Sequence, residues 1–548
     1  MTFSFTSYFS SLYKDLGSKT HTYCKSPGPK THTYCKSPFD ANFLKLTIRF
    51  DAFFDKLTIR FDAFFQVSTI RFDAFFDKLT IRFDASHIYL SLIFIYNFLK
   101  KEAISMLKRK AYQQLLDWKN TKHNKSLKEA LLIKGARQVG KSYLVEKFGK
   151  KEYKSFIEIN FIKQPELKNA FRGNKSPEAI YQRLSIYFPK MKLLEGRTLF
   201  FLDEIQNCGD ARTAIKFLAS DLRYDFIASG SLLGLEYGED DEKNVEVPES
   251  IPVGYESAMV MYPMDFEEYL WSKGYEDKQL LYVKSFFDKG IAVPSDINEK
   301  MESLFREYIV VGGMPEVVDA FEKSNNFNEA IRVQDKIITD YQGDISNHAK
   351  GDQKIKVRQC YDSIPKQLAR EIKKFQYSAV EARQTSRKFS GSIKWLKDSA
   401  LVNACYNVRE PYIPLMANEI EEQFKLYIND TGLLTEMYGR ETKIAILNNT
   451  LKGNAKGAIY ENVVSELLVK KGYKLHYYRP DDNQELEFLI EKDGEVLPIE
   501  VKAGNAASIS LNNFIKSYSP KVAYKLINGN VGIDGVKKTI PHYMVLFI

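Results

Sequence analysis

At 548 residues the chain has room for about three or four domains, each with a substantial core. Its formal charge of +9 resembles that of a nucleic-acid binder, but residues 1–105 hold 14 Lys+Arg against 9 Asp+Glu, so more than half of the excess sits in the first fifth of the chain. The five cysteines, Cys24, Cys35, Cys208, Cys360 and Cys405, lack metal-ligand spacing and read as reduced thiols of a cytoplasmic protein.

The N-terminal stretch is a tandem repeat. Lys19–Pro27 recurs as Lys30–Pro38, and Phe-Asp-Ala recurs from Phe39, Phe50, Phe61, Phe72 and Phe83, all with a period of eleven residues. Two unrelated motifs with one period point to a repeat in the nucleotide sequence, because solenoid units run to about twenty residues or more. Residues 1–105 are therefore expected to lie outside the functional fold, with the working protein starting at Met106. The apolar stretch Ile88–Leu99 falls short of the roughly eighteen residues that cross a bilayer, so no membrane partner is expected.

Gly135-Ala136-Arg137-Gln138-Val139-Gly140-Lys141-Ser142 follows the apolar run Leu131–Ile133 and precedes a helix-like segment. In this strand–loop–helix setting, glycines let backbone N–H groups face phosphate oxygens, and the helix N-terminus adds positive potential. Lys141 is expected to reach the β- and γ-phosphates of ATP, and Ser142 to ligate Mg²⁺. About sixty residues on, Thr198–Leu202 predicts a buried strand ending in Asp203 and Glu204. Asp203 is the expected Mg²⁺ partner and Glu204 the base for the attacking water.

Strand-like runs at Ala130–Ile133, Phe156–Phe161, Thr198–Leu202 and Asp225–Ser229 alternate with helical patterns, which predicts a parallel α/β sheet. Ser229 and Ser231 end the last run as small polar residues, either an ordinary serine turn or a contact for the γ-phosphate or the attacking water. A helical region follows from Pro263 to about Thr339, with a turn at Gly312-Gly313 leading into a helix near Pro315. Residues 366–397 are rich in Lys and Arg, and Ser390–Asp398 reads as the second helix of a helix-turn-helix, with wing strands at Val402–Val408 and Tyr412–Met416.

The P-loop, the Phe-Leu-Asp203-Glu204-Ile-Gln strand end, Ser229-Gly-Ser231, Tyr262-Pro-Met-Asp-Phe-Glu-Glu-Tyr269, Gly312-Gly-Met-Pro-Glu316 and Asn429-Asp-Thr-Gly-Leu-Leu434 resemble, as a set, a prokaryotic AAA-superfamily ATPase family with a C-terminal domain of unknown function. The resemblance covers about residues 106–548. It implies an ATP-binding domain over 106–270, a helical lid or linker over 271–345, a winged-helix-like domain over 346–440 and a restriction-endonuclease-like α/β domain over 441–548. In the last of these, Glu461, Glu487, Glu500 and Lys502 are similar to the PD-(D/E)xK nuclease set, with Glu487 where Asp is usual. Relatives carry Gly-Arg before the Pro-Met-Asp-Phe element, where this chain has Val253-Gly254-Tyr255, leaving Arg306 as the candidate trans-acting arginine. The whole implies an ATPase that uses ATP and Mg²⁺ to switch a helix-turn-helix and nuclease-like module on double-stranded DNA. A nucleotide-dependent adaptor for a protein partner or a second copy of the chain, and an ATP-gated Mg²⁺-dependent nuclease, are the alternatives.

Overall fold

The computed structural model describes residues 107–125, 127–231, 254–348, 353–383, 386–481, 484–504 and 508–548, with four short strands nearer the N-terminus. The chain divides into two units, Met1–Ala103 and Ile104–Ile548. In the first, Lys45–Arg49 pairs antiparallel with Thr58–Asp62, and Ile70–Arg71 with Thr80–Ile81. The stretch 88–99, Met106 and the first two cysteines lie outside the described residues, among which no helix is long and apolar enough to cross a membrane.

The second unit begins with α1 (Lys110–Lys125), then β1 (Ala130–Gly135), α2 (Lys141–Glu152), β2 (Ser155–Asn160), α3 (Pro177–Tyr187), β3 (Thr198–Asp203), α4 (Gly209–Asp221), β4 (Asp225–Ser231) and β5 (Glu256–Val260). All pairings in this sheet are parallel, in the order β2-β3-β4-β1-β5. Alternate residues serve opposite layers, as the strand repeat of two requires. Leu132, Ile157, Phe200 and Phe226 pack on one face, while Leu131, Ile133, Leu199, Phe201 and Ile227 pack on the other. Burial on both faces explains why four strands were legible as apolar runs. The edge strand β5 was not foreseen, because Glu-Ser-Ala-Met-Val is only half-buried and carries Glu256, which pairs with Arg212.

Helices α5 (Phe266–Ser272), α6 (Asp277–Lys289), α7 (Ser295–Val311), α8 (Pro315–Ser324) and α9 (Phe327–His348) form the expected helical region. After α10 (Gln353–Leu368) and α11 (Tyr377–Val380), the basic helix α12 (Ser386–Asp398) starts four residues earlier than expected and buries Ile393 and Leu396 as its pattern demands. The strand expected at 402–408 appears as β6 (Val402–Val408), but the one expected at 412–416 does not form there. That stretch contains Pro414 and follows directly on Pro411, neither of which has an N–H for a ladder, and the partner of β6 is β7 (Glu419–Ile428) instead.

Helices α13 (Thr431–Tyr438), α14 (Arg440–Leu447) and α15 (Asn454–Lys470) lead to β8 (Leu475–Asp481), β9 (Gln484–Lys492), β10 (Glu495–Val501), α16 (Ile509–Tyr518), β11 (Ala523–Ile527), β12 (Gly532–Asp534) and β13 (Lys537–Pro541). Strand β6 pairs with β8 in parallel, giving one eight-stranded sheet ordered β7-β6-β8-β9-β10-β11-β13-β12. The expected boundary at 440/441 therefore falls inside a continuous sheet, and one apolar core runs from Met264 to Ile548.

Two motifs dock at the centre of that core. Asp430 caps α13 through Leu433 N (3.1 Å) and accepts from Gly313 N (2.6 Å) with its other oxygen. A Cβ on Gly313 would stand 1.9 Å from Met264 O, and one on Gly432 2.5 Å from Val311 O, so the segments meet backbone to backbone. Glu466 of α15 completes the joint, accepting from Thr431 N (2.6 Å) and the Tyr308 hydroxyl (2.8 Å). Gly313→Ala is expected to lower stability by at least about 2 kcal/mol through forced overlap. Urea unfolding checks this, and an unchanged midpoint would refute the close approach.

Candidate nucleotide site

Strand β1 leaves the sheet at Gly135, where a Cβ would meet Met261 O at 2.3 Å. Gln138 and Gly140 then take positive φ values of 65° and 91°, a left-handed turn of the kind that lets successive N–H groups face an anion, and α2 opens at Lys141. Glycine tolerates that backbone freely at 140. The Lys141 ammonium folds back over its own loop, donating to Gly135 O (3.0 Å) and Ala136 O (2.8 Å). Burial pushes its pKa down to about 8, against the opposing pull of Glu204 and Asp203.

Asp203 is the hub of the site. Its Oδ1 accepts from Ser142 Oγ (3.0 Å) and from Ser229 Oγ, and its Oδ2 accepts from Asn160 Nδ2 (2.7 Å). Strand register brings these groups together, since Asn160 pairs with Asp203 and Leu202 with Ala228. Asn160 escaped sequence reading although it ends a recognisable strand; only alignment of the strand ends could have revealed it. Glu204 follows the strand in a left-handed conformation (φ 55°), where Gln206 Nε2 holds its Oε2 at 2.6 Å. Ser231 ends β4, and its side chain lies outside what is described. A hydroxyl and a carboxylate side by side are hard oxygen donors, so Ser142 and Asp203 fit Mg²⁺.

Elements outside the sheet close around this loop. Arg109 donates to Val139 O (3.1 Å), Glu268 Oε1 (3.1 Å) and Tyr262 O (2.7 Å), stapling the P-loop to the start of α5. From the other side α9 reaches in, as Asp344 pairs with Arg137, Asp340 accepts from Gln138 Nε2 (2.7 Å) and the Tyr341 hydroxyl donates to Arg137 O (3.2 Å). A cavity of about 340 Å³ beside α2, lined by Leu107, Arg109, Tyr143, Lys147, Met261 and Pro315, is contiguous with Gly140. Arg306 is turned inward toward Glu302 (3.6 Å), so the candidate trans-acting arginine is engaged within its own helix.

Glu461, Glu487, Glu500 and Lys502 do come together. Lys502 Nζ lies 2.7 Å from Glu487 Oε1 and 3.5 Å from Glu500 Oε1. Burial raises the Glu487 carboxyl to about 7 despite Lys502. Burial also works against ionisation of Glu461, but Lys373 and Lys425 hold it below the usual carboxylate range.

The five-stranded parallel sheet, its P-loop and the Asp203 cluster define an AAA-type, ATP-binding P-loop ATPase domain. Residues 127–270 match the family described as AAA domain. Residues 302–444 match a domain of unknown function, DUF8612, and residues 456–542 another, DUF4143. None of the curated proteins compared matches the chain. Among solved structures, the Walker-type ATPase PABY2304 of Pyrococcus abyssi is 15% identical over 61% of this chain and 96% of its own, with a TM-score of 0.37. The Drosophila ORC bound to DNA is 12% identical over 61% of this chain and 87% of its own, with a TM-score of 0.24. A Pyrococcus horikoshii STAND protein with a tetratricopeptide repeat sensor, PH0952, is 11% identical over 67% and 46%, with a TM-score of 0.22.

Phosphate binding should restore the ordinary pKa of Lys141, so nucleotide binding takes up a proton above about pH 8 and affinity falls as pH rises through that value. Calorimetry in buffers of different ionisation heat checks this, with no buffer dependence expected at pH 7 and close to one proton taken up at pH 9. Buffer-independent heats at pH 9 would contradict the buried, partly neutral lysine.

Proposed function

We propose that the chain is a cytoplasmic ATP hydrolase whose nucleotide state is passed through α9 to the C-terminal half. The observation that carries this is the convergence of Ser142, Ser229 and Asn160 on Asp203 beside Lys141. In this reading the P-loop residues 135–142 cradle the phosphates and Lys141 offsets their charge. Ser142 and Asp203 would hold Mg²⁺, which would supply positive charge against the phosphates. Glu204, released from Gln206, deprotonates the water, while Ser229 or Ser231 reports on the γ-phosphate. Lys141→Ala should abolish nucleotide binding or hydrolysis, since the buried phosphate charge loses its main side-chain partner. Glu204→Gln should still bind ATP but hydrolyse it on the order of a hundredfold more slowly, because an amide keeps the shape and loses the base. Filter binding and phosphate release distinguish the two; loss of binding in Glu204→Gln would reassign that residue to structure or direct metal ligation.

The output we propose is a DNA-associated winged-helix-like module. It is supported by the exposed cations Lys366, Arg370, Arg383, Lys394 and Lys397 around α12, and by the burial of Ile393 and Leu396 on its opposite side. Duplex DNA affinity should fall steeply with salt, and Lys394→Glu with Lys397→Glu should lessen that slope by about 2, one for each lost phosphate contact. Salt-insensitive binding, or none, would favour a nucleotide-dependent adaptor that engages a protein partner or a second copy of the chain.

A further inference from the structure

The nuclease resemblance implies a divalent cation among Glu461, Glu487 and Glu500, and the residues present do not fit one. Glu461 Oε1 accepts from Lys373 Nζ, and its Oε2 accepts from the Tyr427 hydroxyl at 3.2 Å. Glu487 gives Oε1 to Lys502 (2.7 Å) and Oε2 to Val501 N (3.2 Å). Of these three glutamates, only the fully buried Glu500 has oxygens that accept no hydrogen bond. Mg²⁺ demands about six oxygens at roughly 2.0–2.1 Å. No group of three or more His, Cys, Asp or Glu among the described residues is arranged to hold a metal ion. Positive charge is supplied by the chain itself, from Lys373, Lys425 and Lys502.

We infer that Lys373 fills the cation position of this acidic centre as a built-in ammonium, so that the C-terminal sheet binds no divalent metal there and clasps the segment between α10 and α11 instead. Lys373 does not belong to the sheet. It arrives on a connecting strap whose position is fixed two residues later, where Phe375 N donates to Phe424 O (2.7 Å) and the two rings stack at 5.7 Å. From there its Nζ reaches over the start of α15, 3.8 Å from where a Cβ on Gly457 would sit. Lys425, fully buried on β7, backs the same carboxylate at 3.8 Å and is itself held by Glu485 at 2.5 Å. A desolvated pair of this kind binds its two segments firmly, because removing either partner leaves the other charge buried without compensation.

The test uses the full chain without nucleotide and Mn²⁺ alone as probe. Bound Mn²⁺, read by electron paramagnetic resonance, should be the same for wild type and Glu500→Gln, which alters the one carboxylate with open oxygens. A Mn²⁺ site in wild type that Glu500→Gln removes would overturn the inference. Separately, Lys373→Met and Glu461→Gln should each lower the urea midpoint, while the double variant loses less than the sum, since two neutral groups leave no orphan charge. Strictly additive losses would also overturn it. The Mn²⁺ comparison does not depend on whether Lys373→Met folds.

Discussion

The carboxylate of Asp430 is the point on which the larger half of the molecule turns. Fully buried, it is held by Lys470 at longer range and by the backbone N–H groups of Gly313 and Leu433, while burial itself raises its pKa. One oxygen starts α13 and the other receives the turn between α7 and α8, so the helical region and the C-terminal half share a single anion. Such a group is expensive to bury, and the backbone N–H groups of Gly313 and Leu433 offset that cost by donating to it. The glycines at 312, 313 and 432 follow from this constraint, since any side chain would push the donors away. Gln334 of α9 extends the joint by donating to Val310 O and Val311 O, and Lys443 donates to Gln334 in turn.

That arrangement gives α9 two ends with different neighbours. Near its middle it rests on the Asp430 joint through Gln334, and toward its C-terminal end it presents Asp340, Tyr341 and Asp344 to the P-loop. Acidic side chains beside a phosphate-binding loop repel an incoming nucleotide unless they keep their own cationic partners, so the two contacts are mutually sensitive. Arg109 on the opposite flank stands before the segment that matches the AAA family, and α9 stands after it. The contacts around the P-loop therefore extend beyond residues 127–270 on both sides in sequence.

How much of this was readable in advance depends on where the information lies. The P-loop, Asp203 and Glu204 were legible because their chemistry is written in consecutive residues with apolar flanks. The helix around Ile393 and Leu396 was legible from period alone, although its start was misplaced. Asn160, Arg109, Asp340 and Asp344 were not, because each acts through a partner more than twenty residues away and none sits in a diagnostic local pattern. The strand expected at 412–416 failed for a local reason, Pro414 within it and Pro411 just before it, neither of which can donate a ladder hydrogen bond. The nuclease-like quartet came from the resemblance to the PD-(D/E)xK set, yet the lysine that accompanies it belongs to a loop nearly ninety residues earlier than Glu461.

The shared sheet has a consequence for biosynthesis. Strand β6 pairs with β7 soon after both emerge, but its other edge waits for Leu475, which joins Cys405 some seventy residues later. Until then the hairpin offers an open row of N–H and C=O groups, with a neighbour still to be translated. The segments matched by the two families of unknown function are thus stitched by a single ladder, and a break introduced between residues 444 and 456 would leave each half with a raw edge.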